Sequence, residues 1–262
     1  MGTSTVKLNG TTLLSIDDTT ATASDVASGK YFYTADGTKT EGTASGGDNS
    51  KYLNLIAKTG TSFSDDSVTE IGRNIFAYWT TLETISLPNL VKITDGVFQG
   101  SNKISNFYFP KVTTITNGNN FNGAGTSTST IVLPSVSSIP SMNAFNTFKG
   151  KAIDLDGSLS NLNTYTFNSS SELETIILRK NSVVAVNHVN AFNSTPFASD
   201  GTGGILYVPE SLVSSYQSAT NWSTILGYTN NQIKSIESTH TDPNASIDLT
   251  LYYADGTPIP SN

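Results

Sequence analysis

Cysteine is absent from this chain. With it go disulfides, thiolate nucleophiles and thiolate metal sites, so the fold must stand on packing alone. Charge is scarce as well: only 13% of residues are Asp, Glu, Lys or Arg, about half the share of an ordinary soluble domain. Histidine occurs only as His188 and His240, which leaves few bases for proton transfer near neutral pH. Neither lies in a catalytic motif: His188 falls in a turn between Val186 and Phe192, and His240 in a polar connector. No apolar run approaches the roughly 18 residues that would span a bilayer. The start, MGTSTVKLNG, shows neither the apolar stretch of a signal peptide nor a hydroxyl at position six for myristoylation, so no membrane insertion is expected.

The balance of charge narrows the partners. A net charge of -7 and a pI near 4.7 disfavour nucleic acid and anionic membrane surfaces, because phosphate neutralisation needs a basic face that 14 scattered Lys and Arg do not form. Polarity comes instead from Ser, Thr and Asn, which fill 97 of the 262 positions. Such a surface, solvated by hydroxyls and amides, is typical of extracellular β-rich proteins.

A repeat organises the middle of the chain. Phe76, Phe98, Phe121, Phe145, Phe167 and Phe192 follow one another at steps of 22, 23, 24, 22 and 25 residues. A period in that range signals a solenoid coil. Aliphatics precede each Phe at matching places: Ile71, Ile93, Ile115, Ile139, Leu162 and Val186, and three residues earlier Val68, Leu90, Val112, Val136, Leu159 and Val183. Each coil also carries a short alternating stretch: TISLP, NFYFP, TIVLP, AIDLD, TIILR, ILYVP. A period of two marks a strand with one buried face, and no coil can hide that face without a stacked neighbour. Proline after the strand ends the ladder where the chain turns away, since it offers no N–H.

This pattern resembles the BspA-type leucine-rich repeats of bacterial surface proteins, in which I-x-x-x-A-F, a polar turn and L-x-x-I-x-L-P recur. The resemblance covers about residues 66 to 237. GGILYVPESLVSSYQSATNWSTI is similar to the terminal coil of such arrays, where a strand and Val-Pro lead into a helix. Coils four and five depart from it with Leu155-Asp156 and Leu178-Arg179 in place of Leu-Pro, and coil six carries an insertion around 194 to 204. The expected fold is thus a β-rich leucine-rich-repeat solenoid of about six coils of 22 to 25 residues, with little helix.

Residues 1–43 read as a separate module. A short helix is expected from Ser24 to Gly29, then a hairpin of Tyr31 to Thr34 and Thr38 to Thr43 turning at Asp36-Gly37. Its wording, DDTTATASDVASGKYFYTADGTKTEGT, resembles a module of tailed-phage and prophage structural proteins. So small a unit needs a partner surface. Residues 44–50 read as a linker, 51–237 as the solenoid with a C-terminal capping helix, and 238–262 as a β-extension that repeats the Ala-Asp-Gly-Thr turn.

Chemistry is hard to find. DLDG at 154 to 157 lacks the glycine and glutamate of a calcium loop, where Leu159 and Tyr165 stand, and GTGG at 201 to 204 lacks the Lys-Ser/Thr of a phosphate loop. No catalytic residue, metal site or cofactor is expected. Binding residues are easier to nominate. One outward position per coil, Ser86, Tyr108, Val132, Asp154, Ile177 and Tyr207, should form a row about 4.8 Å apart, a strip of the kind on which solenoids hold ligands. Coil one adds Tyr78 and Trp79 where other coils are polar, either as an interface or as a cap over the open end. Candidate ligand contacts are therefore Tyr78, Trp79, Tyr108, Asp154 and Tyr207.

Together these features predict a non-enzymatic phage virion surface protein of the tail-fibre or receptor-binding type, located on the particle and hence extracellular after release. The expected partners are other virion proteins through residues 1–43 and a host cell-surface glycan or protein, with a homo-oligomer on the particle. A head-decoration or collar protein and a bacterial cell-surface adhesin are the alternatives.

Overall fold

The computed structural model describes residues 5–8, 11–15, 22–23, 26, 28–36, 38–43, 50–116, 118–140, 142–155 and 158–236. The C-terminal extension expected over 238–262 lies outside them, as do residues 44–49 of the expected linker. The chain divides into two compact units, 1–53 and 54–262.

In the first unit β1 (Thr5–Leu8) pairs antiparallel with β2 (Thr11–Ser15), and β3 (Tyr31–Tyr33) with β4 (Lys39–Glu41). The second hairpin is the expected one. Its turn is held by Asp36, whose carboxylate accepts from the Thr38 N–H at 2.9 Å and from the Thr34 hydroxyl. Gly37 lies outside the described residues. The helix expected from Ser24 to Gly29 is corrected in part: Val26 forms a bend, Ser28 and Gly29 form a turn, and Ser24, Asp25 and Ala27 lie outside the described residues. One turn ending on glycine gains too few backbone bonds to offset the cost of helix nucleation. Residue 50 opens a helix that the sequence does not announce, α1 (Ser50–Ala57).

The second unit is the solenoid. Its parallel sheet has eight strands, one per coil: β5 (Ser62–Ser64), β6 (Thr84–Ser86), β8 (Asn106–Tyr108), β10 (Thr130–Leu133), β11 (Ala152–Leu155), β13 (Thr175–Leu178), β15 (Ile205–Pro209) and β16 (Gln232–Ile236). Two of these, β5 and β16, extend the six expected. Register is strict: Ile131 pairs with Ile153, Ile153 with Ile176, Ile176 with Leu206, and Leu206 with Ile233. Across the coil, β7 (Lys92–Ile93) pairs with β9 (Thr114–Ile115), and β12 (Asn161–Leu162) with β14 (Ala185–Val186). After β15 come two short helices, α2 (Val213–Ser218) and α3 (Trp222–Gly227).

The repeat phenylalanines form one continuous pile. Ring centroids of Phe76, Phe98, Phe121, Phe145, Phe167 and Phe192 lie 5.6, 5.3, 4.8, 5.6 and 5.2 Å apart, each pair stacked. All six rings are buried. Burying each contributes roughly 1.5–3 kcal/mol, and the aliphatics of β6 to β15 close the core from the sheet side.

Left-handed backbone brings each coil around its Phe. Two residues after the ring stand Tyr78, Gly100, Gly123, Thr147, Ser169 and Ser194, with φ of 57°, 71°, 66°, 52°, 58° and 54°. The N–H groups of four of them donate to the next coil: Tyr78 to Gln99 O at 2.6 Å, Gly100 to Asn122 O at 2.7 Å, Thr147 to Asn168 O and Ser169 to Asn193 O at 2.8 Å. This column is thus a second inter-coil ladder, and its side chains are lifted to the surface.

Candidate binding surface

The sheet's outer row is where a ligand strip is expected, and the structure divides it. Ser64 is exposed, and Ser86, Tyr108 and Val132 are half-buried; this half is open. Further along, Asp154, Ile177 and Tyr207 are buried to 0–2%. Ile177, Tyr207 and Ile236 pack as an apolar cluster of their own. The expectation that Asp154 and Tyr207 present themselves outward is therefore corrected. Alternation along a strand fixes which face a side chain takes, but not whether that face meets water.

Asp154 already has a partner. The Arg179 Nε lies 3.1 Å from both carboxylate oxygens and Nη2 lies 2.9 Å from Oδ2, with both side chains buried. Burial pushes the Asp154 carboxyl above its ordinary range, while the Arg179 charge and its hydrogen bonds pull it back. This pairing also explains why coil five carries arginine in place of proline.

Trp79 is corrected too. Its ring is fully buried, stacked on Phe76 at 6.3 Å and edge-on to Phe63 at 6.3 Å. The indole N–H donates to Gly60 O and to Thr81 Oγ1, each at 3.1 Å. Trp79 is thus part of the closure of the N-terminal end, the second of its two expected roles. It stands three residues after its Phe, a column otherwise filled by Ser101, Ala124, Phe148, Ser170 and Thr195, all buried. Tyr78, one residue earlier, is 63% exposed.

Five nominated residues thus separate. Tyr108 stands on the open strand face, Tyr78 on the left-handed column at the turns, and Trp79, Asp154 and Tyr207 are buried. His188 closes a turn, its Nδ1 accepting from the Asn190 N–H at 3.1 Å. Among the described residues no group of three or more His, Asp or Glu is placed to hold a metal, and no helix is long and apolar enough to cross a membrane.

The far end of the solenoid shows how the array stops. Val184 offers one N–H and one C=O where the next coil turns into α2 and has no strand to receive them. The N–H donates to Tyr216 Oη at 2.9 Å, and the C=O accepts from Trp222 Nε1 at 2.7 Å. Asn221 Nδ2 donates to Val186 O at 2.8 Å. Three side chains of the α2–α3 segment thus replace the backbone of a strand opposite β14. Burial raises the Tyr216 phenol to about 12, although the Val184 N–H favours its ionised form.

A parallel strand per coil, a stacked Phe pile and side-chain caps at both ends define a leucine-rich-repeat scaffold, a class that presents surfaces. Comparison assigns it: the chain belongs to the BspA-type leucine-rich-repeat family. The family described as BspA type Leucine rich repeat region matches in six copies, over residues 57–174 and 121–199, more than half of the 262-residue chain. No curated protein matches. Among solved structures, a leucine-rich repeat protein from Bacteroides ovatus ATCC 8483 is similar at 15% identity over 71% of this chain, with a TM-score of 0.25. This chain spans 63% of that protein's length.

Proposed function

We propose that the protein is an adhesion-type surface component of a phage particle, held by its first unit and presenting the solenoid to the host. The observation that carries the adhesion reading is the open half of the strand face, where Tyr108 stands between Ser86 and Val132 on a backbone fixed by parallel ladders. A rigid row of this kind offers hydrogen bonds and one aromatic ring without charge. That suits a neutral host-surface polymer reached by contact rather than by long-range steering.

The phage reading is supported by the wording of residues 1–43 and by its hairpin. Tyr31 and Tyr33 lie on one face of β3 and are 58% and 54% exposed. Paired exposed rings on a unit too small to have a core of its own favour docking on other virion proteins. Mass spectrometry of purified particles, with adsorption measured after adding antibody to residues 54–236, tests both halves. The chain should be found on particles, and the antibody should block adsorption. Absence from particles removes the virion reading; unimpaired adsorption removes adhesion and leaves a spacing or decoration role.

A further inference from the structure

A second surface lies away from the strand face, along the residues that follow each repeat Phe. Gln99, Asn122, Asn146, Asn168 and Asn193 occupy equivalent places in five successive coils. Three of these amides are chained in one direction: Asn193 Nδ2 donates to Asn168 Oδ1 at 2.8 Å, and Asn168 Nδ2 to Asn146 Oδ1 at 3.2 Å. Asn168 Nδ2 also reaches Ser169 Oγ at 3.1 Å, which ties this row to the left-handed column beside it. All five amides keep contact with solvent.

At the N-terminal end of that column stands Tyr78. A methyl group added at Gly100 would fall 2.5 Å from Tyr78 Cδ1 and 2.8 Å from Cε1, so the ring lies against the bare Cα of Gly100. Gly123 follows in the next coil, and a Cβ there would meet nothing nearer than 3.9 Å. Past the ring, Gly123 leaves the column bare between Tyr78 and Thr147, beside Gln99, Asn122 and Asn146. No Lys, Arg, Asp or Glu occupies either row.

We propose that this track, Tyr78 with the amides of Gln99, Asn122, Asn146 and Asn168, binds a neutral linear glycan. Amides offer a donor and an acceptor together, which matches neighbouring sugar hydroxyls, each of which both gives and takes a hydrogen bond. A ring held with one side on backbone and 63% of its residue surface open is placed to stack on the C–H face of a pyranose. An uncharged track forms no ion pair with an anionic or cationic ligand, which favours a neutral one. A polymer of identical units can meet the same groups coil after coil. The rows are distinct from that of Tyr108, so this inference stands apart from the strand-face reading.

The test is an NMR titration of the full chain with cellohexaose, chitohexaose, laminarihexaose and mannohexaose, each taken to millimolar concentration. At least one should shift the side-chain amide signals of Asn122, Asn146 and Asn168 and the backbone signal of Gly100. Tyr78→Asn keeps a residue that tolerates the left-handed conformation, and should weaken binding about tenfold with an unchanged melting temperature. Tyr165→Asn, at an exposed left-handed tyrosine outside both rows, should bind the same sugar as the parent does. The proposal fails if none of the four sugars shifts the row, if Tyr78→Asn binds as well as the parent, or if the shifts fall around Tyr108 instead. It fails equally if the only partner captured by this row is a host protein that Tyr78→Asn releases.

Discussion

Asp154 and Arg179 lie 25 residues apart in sequence and meet in adjacent coils, joined by a buried two-point contact of 2.9 to 3.1 Å. Removing one partner of such a pair strands a charge out of water. Arg179→Met should therefore cost about 3–5 kcal/mol of stability. Changing both, Asp154→Val with Arg179→Met, should recover part of that loss, because neither buried charge is then left without its opposite. Denaturant melts of the two single variants and the double variant check this.

The cap at Val184 predicts a pH effect. The Tyr216 phenol, raised to about 12 in the folded chain, titrates near 10 when unfolded. Its contribution is thus complete below about pH 10 and is lost as the pH rises through 12. Tyr216→Phe should cost about 1–3 kcal/mol at neutral pH by stranding the Val184 N–H, and should flatten the alkaline loss of stability. Thermal melts from pH 8 to 12 provide the comparison.

The pile of phenylalanines should be the most sensitive part of the fold. Phe121 stacks on Phe98 at 5.3 Å and on Phe145 at 4.8 Å, so Phe121→Ala leaves a cavity that neither neighbour can fill. A loss of about 3–5 kcal/mol is expected in urea melts.

The left-handed column predicts changes of opposite sign. Ser194 has φ +54° and an exposed side chain, a conformation that costs a non-glycine residue about 1–2 kcal/mol. Glycine relieves that cost but adds disorder to the unfolded chain. Ser194→Gly should gain about 0.5–1 kcal/mol net. Gly100→Ala should lose at least about 1 kcal/mol, because it meets both the φ restriction and the Tyr78 ring. Differential scanning calorimetry on both variants gives the two signs.

The period of the phenylalanines and the alternation of the strands made the solenoid legible, since burial in a stacked array forces the same chemistry at the same place in every coil. The flanks escaped for different reasons: α1 occurs once, β5 keeps the period but holds only Phe63 of the aliphatic pair, and β16 follows β15 at a wider step across α2 and α3. Trp79 and Tyr78 are adjacent in sequence and share a bulky aromatic character. Yet the columns already differed, one holding glycine, serine and threonine at left-handed positions, the next holding small or aromatic residues that prove buried. Tyr207 and Ile177 looked outward by alternation, and nothing in a period of two reports whether a face meets water. Asp154 and Arg179 are opposite charges in neighbouring coils, a signal present in the sequence beneath the departure from the Leu-Pro pattern.

Binding to intact host cells tests the central claim most directly, with the full chain compared with Tyr108→Ala and Tyr207→Phe after melts establish that all are folded. The parent and Tyr207→Phe should bind alike, because residue 207 is buried, while Tyr108→Ala should lose about tenfold in affinity. A parent chain that binds no host surface, or a Tyr108→Ala variant that binds as the parent does, would contradict the strand face as the adhesive surface.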